Sequence, residues 1–243
     1  MLNKLITLIS CFLIFSTVAF SQNLSVRAEL GVGTFRMKDL KDFQASVLPD
    51  LGVNVESLSK FPPYYGFGFE VVSYFKSGIG IGFACDFFST GATNYYEDYS
   101  GSYKLNMLTH AYDIGTIFSI RHLRRNHLNS FIEIGQGIKL SHLSLSEDLV
   151  VGSQVSSISY TFENTSWWIK PVYRCEYKIF NFLSAGAFLG PELNIKSKLH
   201  LKDIHDATLK NAEQDVTIDW TGLRMGLNLS IEISYRKDRS EIF

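Results

Sequence analysis

Residues 221–235 alternate without a break. Leu223, Met225, Leu227, Leu229, Ile231, Ile233 and Tyr235 occupy one phase, and Gly222, Arg224, Gly226, Asn228, Ser230, Glu232 and Ser234 the other. A period of two puts these sets on opposite faces of an extended strand. Large apolar groups against small and charged ones, held over that length, exceed what an ordinary soluble sheet asks of a strand. They describe a wall stave of a transmembrane β-barrel.

The same alternation recurs seven times upstream. A strand over 24–34 sets Val26, Ala28 and Leu30 against Arg27, Glu29 and Gly31, and one over 64–76 sets Phe67, Phe69 and Val71 against Gly66, Gly68 and Glu70. Over 78–89, Ile79, Ile81, Phe83, Cys85 and Phe87 oppose Gly80, Gly82, Ala84 and Asp86; over 105–121, Tyr112, Ile114, Phe118 and Ile120 oppose Asp113, Gly115 and Ser119. Over 129–145, Ile132, Ile134, Ile138 and Leu140 oppose Glu133, Gly135, Gly137 and Lys139. The strand over 166–178 sets Trp167, Ile169, Tyr173 and Cys175 against Lys170, Arg174 and Glu176; the one over 183–196 sets Ala185, Ala187, Leu189 and Leu193 against Gly186, Gly190 and Glu192. Pro171 and Pro191 cannot donate to a ladder, so bulges are expected there.

Connections alternate in length: short at 76–78, 122–128 and 179–182, long at 37–63, 90–104, 146–165 and 197–219. The expected fold is all-β, an eight-stranded antiparallel up-and-down transmembrane barrel. With both termini in the periplasm, the short turns are periplasmic and the long segments extracellular. A short amphipathic helix is expected in the first extracellular loop, because Leu40, Phe43, Val47, Leu48 and Leu51 recur at helical spacing from Lys38 with Lys41, Asp42 and Gln44 opposite. Pro49 should kink or end it, and Pro62 and Pro63 stiffen the return. Such a helix would cap the mouth or lie in the outer leaflet.

Period alone does not say which face meets lipid, since a soluble barrel with an apolar interior also alternates. Side-chain size decides it. The glycines share the polar phase with large charged residues, a mixture suited to an eight-stranded interior just wide enough to be filled by side chains. The charges there are of both signs: Glu29, Glu70, Asp86, Asp113, Glu133, Glu176, Glu192 and Glu232 with Arg27, Arg121, Lys139, Lys170, Arg174 and Arg224. Enclosed charges must be paired, so these residues are read as an ion network that plugs the lumen. An open channel is not expected, and narrow transport along the carboxylates is a third functional reading.

Residues 1–21 carry one early cation, Lys4, then an apolar run to Phe20 closing on Ala19 and Ser21. That order describes a secretory signal peptide cleaved before Gln22; a lipidation box ending at Cys11 fits less well. The mature domain is then 22–243, with Cys85 and Cys175 as its cysteines, both on the apolar phase and in no metal or redox spacing. No cofactor and no metal is implied. With 23 basic against 24 acidic residues, there is no electrostatic case for nucleic acid, while 19 Phe and 12 Tyr suit aromatic interface belts.

On these staves the chain resembles the small eight-stranded outer-membrane barrels of Gram-negative bacteria, the OmpX and OmpA-transmembrane-domain type, over essentially the whole mature length. Arg224, Gly226, Leu229 and Ile231 are similar to the assembly signal read by barrel-assembly machinery, and Phe243 resembles the terminal aromatic of such proteins. The resemblance implies a monomer in the outer membrane, with outer-membrane lipid and the assembly machinery as partners and an extracellular partner unspecified. It implies no activity.

Two constellations lie outside the staves. Tyr95, Tyr96, Tyr99 and Tyr103 crowd the second long segment, as an interfacial belt or a contact surface would, and Trp167, Trp168 and Trp220 are placed as anchors at the upper rim. His142 and Ser144 share one face of the fifth strand, with His110 on the same phase of its neighbour. This pair looks similar to the His-x-Ser of lipid A deacylases built on eight-stranded barrels. A hydrolase needs a base near the serine and an acid to orient it, and Glu147 and Glu163 are the candidate acids. The reading is a structural or surface-interaction barrel rather than an enzyme, with a lipid-modifying hydrolase using His142 and Ser144 as the alternative.

Overall fold

The computed structural model describes residues 23–47, 64–99 and 101–234. Residues 1–22, where a signal peptide is expected, and Leu48, Pro49, Leu51, Pro62, Pro63, Tyr235 and Phe243 lie outside the described residues. Eight strands form the wall: β1 (Asn23–Gly33), β2 (Tyr64–Tyr74), β3 (Ile79–Asp98), β4 (Gly101–Arg125), β5 (Leu128–Val151), β6 (Gln154–Lys178), β7 (Leu183–Ile195) and, after six short strands, β14 (Gly222–Ser234). Each pairs antiparallel with its neighbour in the chain, and β14 pairs with β1, which closes the ring and leaves no open edge in the wall. Closure satisfies the backbone between strands, the condition for crossing a lipid core with β-structure.

Phase then sorts the side chains. Phe67, Ile81, Ile114, Ile138, Ile169, Leu189 and Leu229 stand exposed around the outside, while Arg27, Glu70, Asp113, Glu133, Lys139, Arg174 and Glu192 are buried inside. This inverts a soluble protein and makes the outer surface an apolar belt. Cys85 and Cys175 are free thiols on that outer phase. The glycines on the polar phase of the staves face inward and give way to larger groups: a Cβ on Gly135 would sit 2.9 Å from Trp168 Cζ3, and one on Gly80 2.7 Å from Tyr74 Cε1.

The segments 90–104 and 146–165, expected as loops, are mostly strand. β3 and β4 run on to a turn around Tyr99, and β5 and β6 to a turn at 152–153, where Gly152 takes a positive φ of 57°. The four extensions pair side by side and rise above the belt as one sheet. Alternating Tyr, Thr, Asn and Ser pair as well as apolar residues once a neighbouring strand is present.

Helix α1 (Lys38–Val47) forms where the spacing predicts it and caps the mouth. Leu40 is fully buried and Phe43 packs beside it in a cluster with Phe35, Met37, Leu105, Leu143, Leu145, Phe162, Ile218 and Trp220. Gln44, expected on the open face, is buried and donates from Nε2 to Asn94 Oδ1. The short strands β8 (Ser197–Lys198), β9 (His200–Leu201), β10 (Ile204–Thr208), β11 (Lys210–Asn211), β12 (Gln214–Asp215) and β13 (Thr217–Ile218) fold over the same mouth. Leu199, Val216 and Ile218 are buried in that cap.

The prolines do not make bulges. Pro171 stays in register opposite Ile134, and Pro191 opposite Leu223. Between β6 and β7 the pairing runs from Ile169 with Leu193 to Tyr173 with Leu189, so the two prolines face each other across the gap between. Residues that face in this way would exchange both of their N–H···O bonds; placing both missing donors in one slot confines the loss to a single point of the wall. The bulge of the wall lies elsewhere, at His122, where the β4–β5 register shifts between Arg121 and Leu123.

Candidate functional site

From the short-turn end upward the lumen is filled in layers. At the lower mouth Arg121 donates from Nη2 to Glu232 Oε1 at 2.7 Å, and its guanidinium lies 4.9 Å from the centre of the Tyr74 ring and 5.3 Å from that of Phe131. Tyr74 and Phe131 pack with Val72, Ala84 and Ile117 as a small apolar floor.

Above that floor two guanidinium groups tie four carboxylates together. Arg27 reaches Glu133 at 2.7 Å, Glu70 at 3.3 Å and Glu176 at 3.2 Å. Arg174 reaches Glu133 at 2.8 Å, Glu70 at 3.0 Å and Glu29 at 2.5 Å. Tyr74 Oη accepts from Arg27, and Ser119 Oγ donates to Glu133. Glu176 also accepts from Asn228 Nδ2 and Ser230 Oγ. Arginine suits this role because its planar fork serves several acceptors at once.

The next layer holds Lys170 with Asp86 at 2.7 Å, Lys139 with Asp113 and Glu192 at 2.8 Å each, and Arg224 with Glu192 at 2.9 Å. A void of about 20 Å³ lies at this level between Glu29, Asp86, Lys170, Phe188 and Arg224, room for one water. Phe88 sits 3.9 Å from the Arg224 guanidinium carbon, and Trp220 5.2 Å from Lys139 Nζ. The apolar cap begins there. The lumen is a packed plug: floor, ion pairs, cationic groups under aromatic rings, then a hydrophobic lid.

Every residue expected in the lumen network is on the inner face, buried except for Arg121 and Glu232, which sit half-buried at the lower mouth. The tryptophans differ. Trp167 is exposed outward as an anchor would be, but Trp168 and Trp220 are fully buried inside. Trp168 Nε1 donates to the Ile138 carbonyl and Trp220 Nε1 to Ser141 Oγ. Phase alone marks both: Trp168 shares the parity of Lys170 and Arg174, and Trp220 that of Gly222 and Arg224.

On the outer face near the upper end, cross-strand register makes one row of His110, His142, Glu163 and His200, taken from β4, β5, β6 and β9. His142 Nδ1 lies 3.5 Å from Glu163 Oε1, and Lys202 Nζ 3.8 Å from the same oxygen. His142 also meets Tyr112 edge-on, and His110 stacks on Phe87. Ser144 is exposed on the same face one step up, opposite Leu108 and Thr161. Among the described residues no hydrogen bond joins it to His142. Of the two candidate acids the register therefore brings Glu163 to the histidine, and sets Glu147 on the inner phase opposite Leu105 and Ile158.

No family model and no curated protein matches the chain. Among solved structures it is similar to Ail, the attachment invasion locus protein of Yersinia pestis, at 11% identity over 88% of this chain and 99% of that one, with a TM-score of 0.37. It is similar also to a major outer membrane protein from Thermus thermophilus, at 11% identity over 86% and 99% with a TM-score of 0.44. A third is the outer membrane protease OmpT from Escherichia coli, at 8% identity over 88% and 97% with a TM-score of 0.40. The protein's own closed ring, apolar belt and filled lumen define its class: an eight-stranded transmembrane β-barrel.

Proposed function

We propose that the protein is an integral outer-membrane barrel with a structural or surface-interaction role, both termini in the periplasm, working as a monomer. The observation that carries this reading is the pairing of a predominantly apolar exterior, interrupted in mid-belt by the facing pair Thr116 and Gln136, with a lumen closed by side chains from floor to lid. A wall of this kind anchors the sheet formed by β3, β4, β5 and β6, whose upper end exposes Val155, Ile158 and Tyr160 and is the surface offered to an extracellular partner. Arg224, Gly226, Leu229 and Ile231 on β14 serve the assembly machinery during insertion. Fractionation, with protease cleavage of intact cells at the 152–153 turn, tests location and orientation together. Recovery in the inner membrane, or protection of that turn outside with cleavage of the 126–127 turn, would overturn it. Planar-bilayer recordings are expected to show no conductance.

A second reading is favoured by one contact, Glu163 beside His142. An acid at Nδ1 orients an imidazole so that its other nitrogen can serve as base to a neighbouring serine, here Ser144 on the lipid-facing side. The substrate class would be an acylated membrane lipid. Mass spectrometry of lipid A with and without the protein decides the matter: loss of an acyl chain, abolished by Ser144→Ala, establishes the hydrolase, and an unchanged pattern removes it.

A further inference from the structure

Among the described residues, the lower mouth of the barrel carries cations in excess of its acids. A cavity of about 230 Å³ opens there between Asn23, Tyr74, Lys76, Ser77, Arg121 and Arg124. Of its three cations only Arg121 is matched, by Glu232; among the described residues neither Lys76 nor Arg124 takes part in an ion pair. The Arg121 side chain is 8% exposed and its Nε has no hydrogen-bond partner. Ser77 Oγ accepts from Ile79 N at 3.5 Å, which leaves its own proton free to donate.

Arg124 is in this cavity because of the bulge. Up to Arg121 the odd residues of β4 face inward, as Asp113 and Ser119 do, so an unbroken strand would send Leu123 into the mouth and Arg124 out to lipid. The register shift at His122 reverses this. Leu123 pairs with Ser130 on the outer phase, and Arg124 pairs with Asn129 on the inner one. Bulges commonly re-aim a side chain in this way, and this one sets a second guanidinium beside Arg121. The tight turn at Gly78, whose φ is +81° and whose N–H donates to the Phe75 carbonyl, holds Lys76 opposite.

We propose that this cavity is a binding site for a phosphate group, held between Lys76, Arg124 and Arg121 with Ser77 as a neutral donor. Two guanidinium forks and an ammonium around a mouth open to water are the donor set that phosphate oxygens call for. The group is carried either by an acidic phospholipid at the edge of the adjoining leaflet or by a soluble phosphate ester. The site is independent of the functional readings above.

The test uses the full mature chain in two arms. In detergent, inorganic phosphate and glycerol phosphate are titrated while 31P line width and calorimetric heat are followed. In nanodiscs of phosphatidylcholine with and without phosphatidylglycerol, retained lipid is counted by native mass spectrometry. Saturable binding is expected in at least one arm, weakened at least tenfold in the double variant Lys76→Gln with Arg124→Gln. Lys76 lies in a turn and Arg124 one residue from the end of β4, and a heat-modifiable gel shift confirms the fold. Glu232→Gln, which frees Arg121, is expected to tighten binding several-fold, a gain that a purely structural role for these residues does not produce. Binding in the detergent arm identifies a soluble ligand, and binding in the nanodisc arm alone identifies the lipid. Silence in both arms, or affinity unchanged in the double variant, overturns the proposal.

Discussion

Arg27 of β1 and Glu133 of β5 stand 106 positions apart in the chain and meet inside the barrel at 2.7 Å. Strands β2, β3 and β4 separate them on one side of the ring and β6, β7 and β14 on the other, so the pair spans the lumen rather than a seam of the wall. Arg174 binds the other oxygen of the same carboxylate, which makes Glu133 the hub of the lower network.

Removing one member of that hub leaves a buried charge unmatched, which costs about 3–5 kcal/mol. Glu133→Gln is therefore expected to lower the urea midpoint of the micelle-bound barrel strongly. Arg121→Gln, at the open mouth, should cost less. Equal effects of the two would show that the lower network is wet rather than enclosed.

The outward face gives a sharper test. Ile138 is 42% exposed, so in a soluble protein Ile138→Arg would change stability by about 0.5 kcal/mol or less. On a lipid face near the middle of the bilayer the same change costs about 2–4 kcal/mol. Unfolding in lipid vesicles is expected to give the larger figure, and a neutral result there would mean the belt does not meet lipid.

Inside, space is the constraint. Gly135→Leu would drive a side chain into Trp168, whose ring already lies within van der Waals contact of where a Cβ would be. Overpacking of this kind typically costs about 1–3 kcal/mol. Pairing it with Trp168→Leu should recover part of the loss, and a double-mutant cycle reads the coupling.

At the upper end Asp215 accepts from Thr208 Oγ1 at 2.8 Å and from Lys198 Nζ at 2.5 Å, and these partners hold its carboxyl below the usual aspartate range. A lowered carboxylate pKa contributes stability that is complete above the unfolded value and is lost as pH falls through the folded one. Amide exchange across residues 208–217 should therefore stay slow down to about pH 4, where a free aspartate titrates, and quicken below it. Asp215→Asn should remove the pH step.

Much of this architecture is legible in the chain, and the exceptions share a cause. Period two fixes the strands and their phase because neighbouring side chains must point opposite ways, and glycine with charge on one phase marks the inside. What the period cannot show is where the inner face changes character. Phe88, Leu105, Leu143 and Leu145 face inward yet are apolar, because α1 and residues 197–218 fold down and exclude water from the upper end of the lumen. Gln44 is buried for the same reason. The bulge at His122 lies in a run of Arg, His and Leu with no proline or glycine to announce it, whereas Pro171 and Pro191 cancel within one slot that only the register between β6 and β7 reveals. Glu163 likewise reaches His142 across a strand pair, a proximity set by pairing and not by distance along the chain.

The interior ties bear on how such a molecule can be made. Arg27 needs partners from β2, β5 and β6, Arg174 needs one from β1, and Arg121 needs Glu232 from the last strand. A sheet of four or five strands would hold these ions half-neutralised against hydrocarbon, so no intermediate short of the full circle is a comfortable resting place. The last hairpin therefore completes the neutralisation of the interior and the seam of the wall together, so the circle is expected to shut as one event rather than to grow stave by stave.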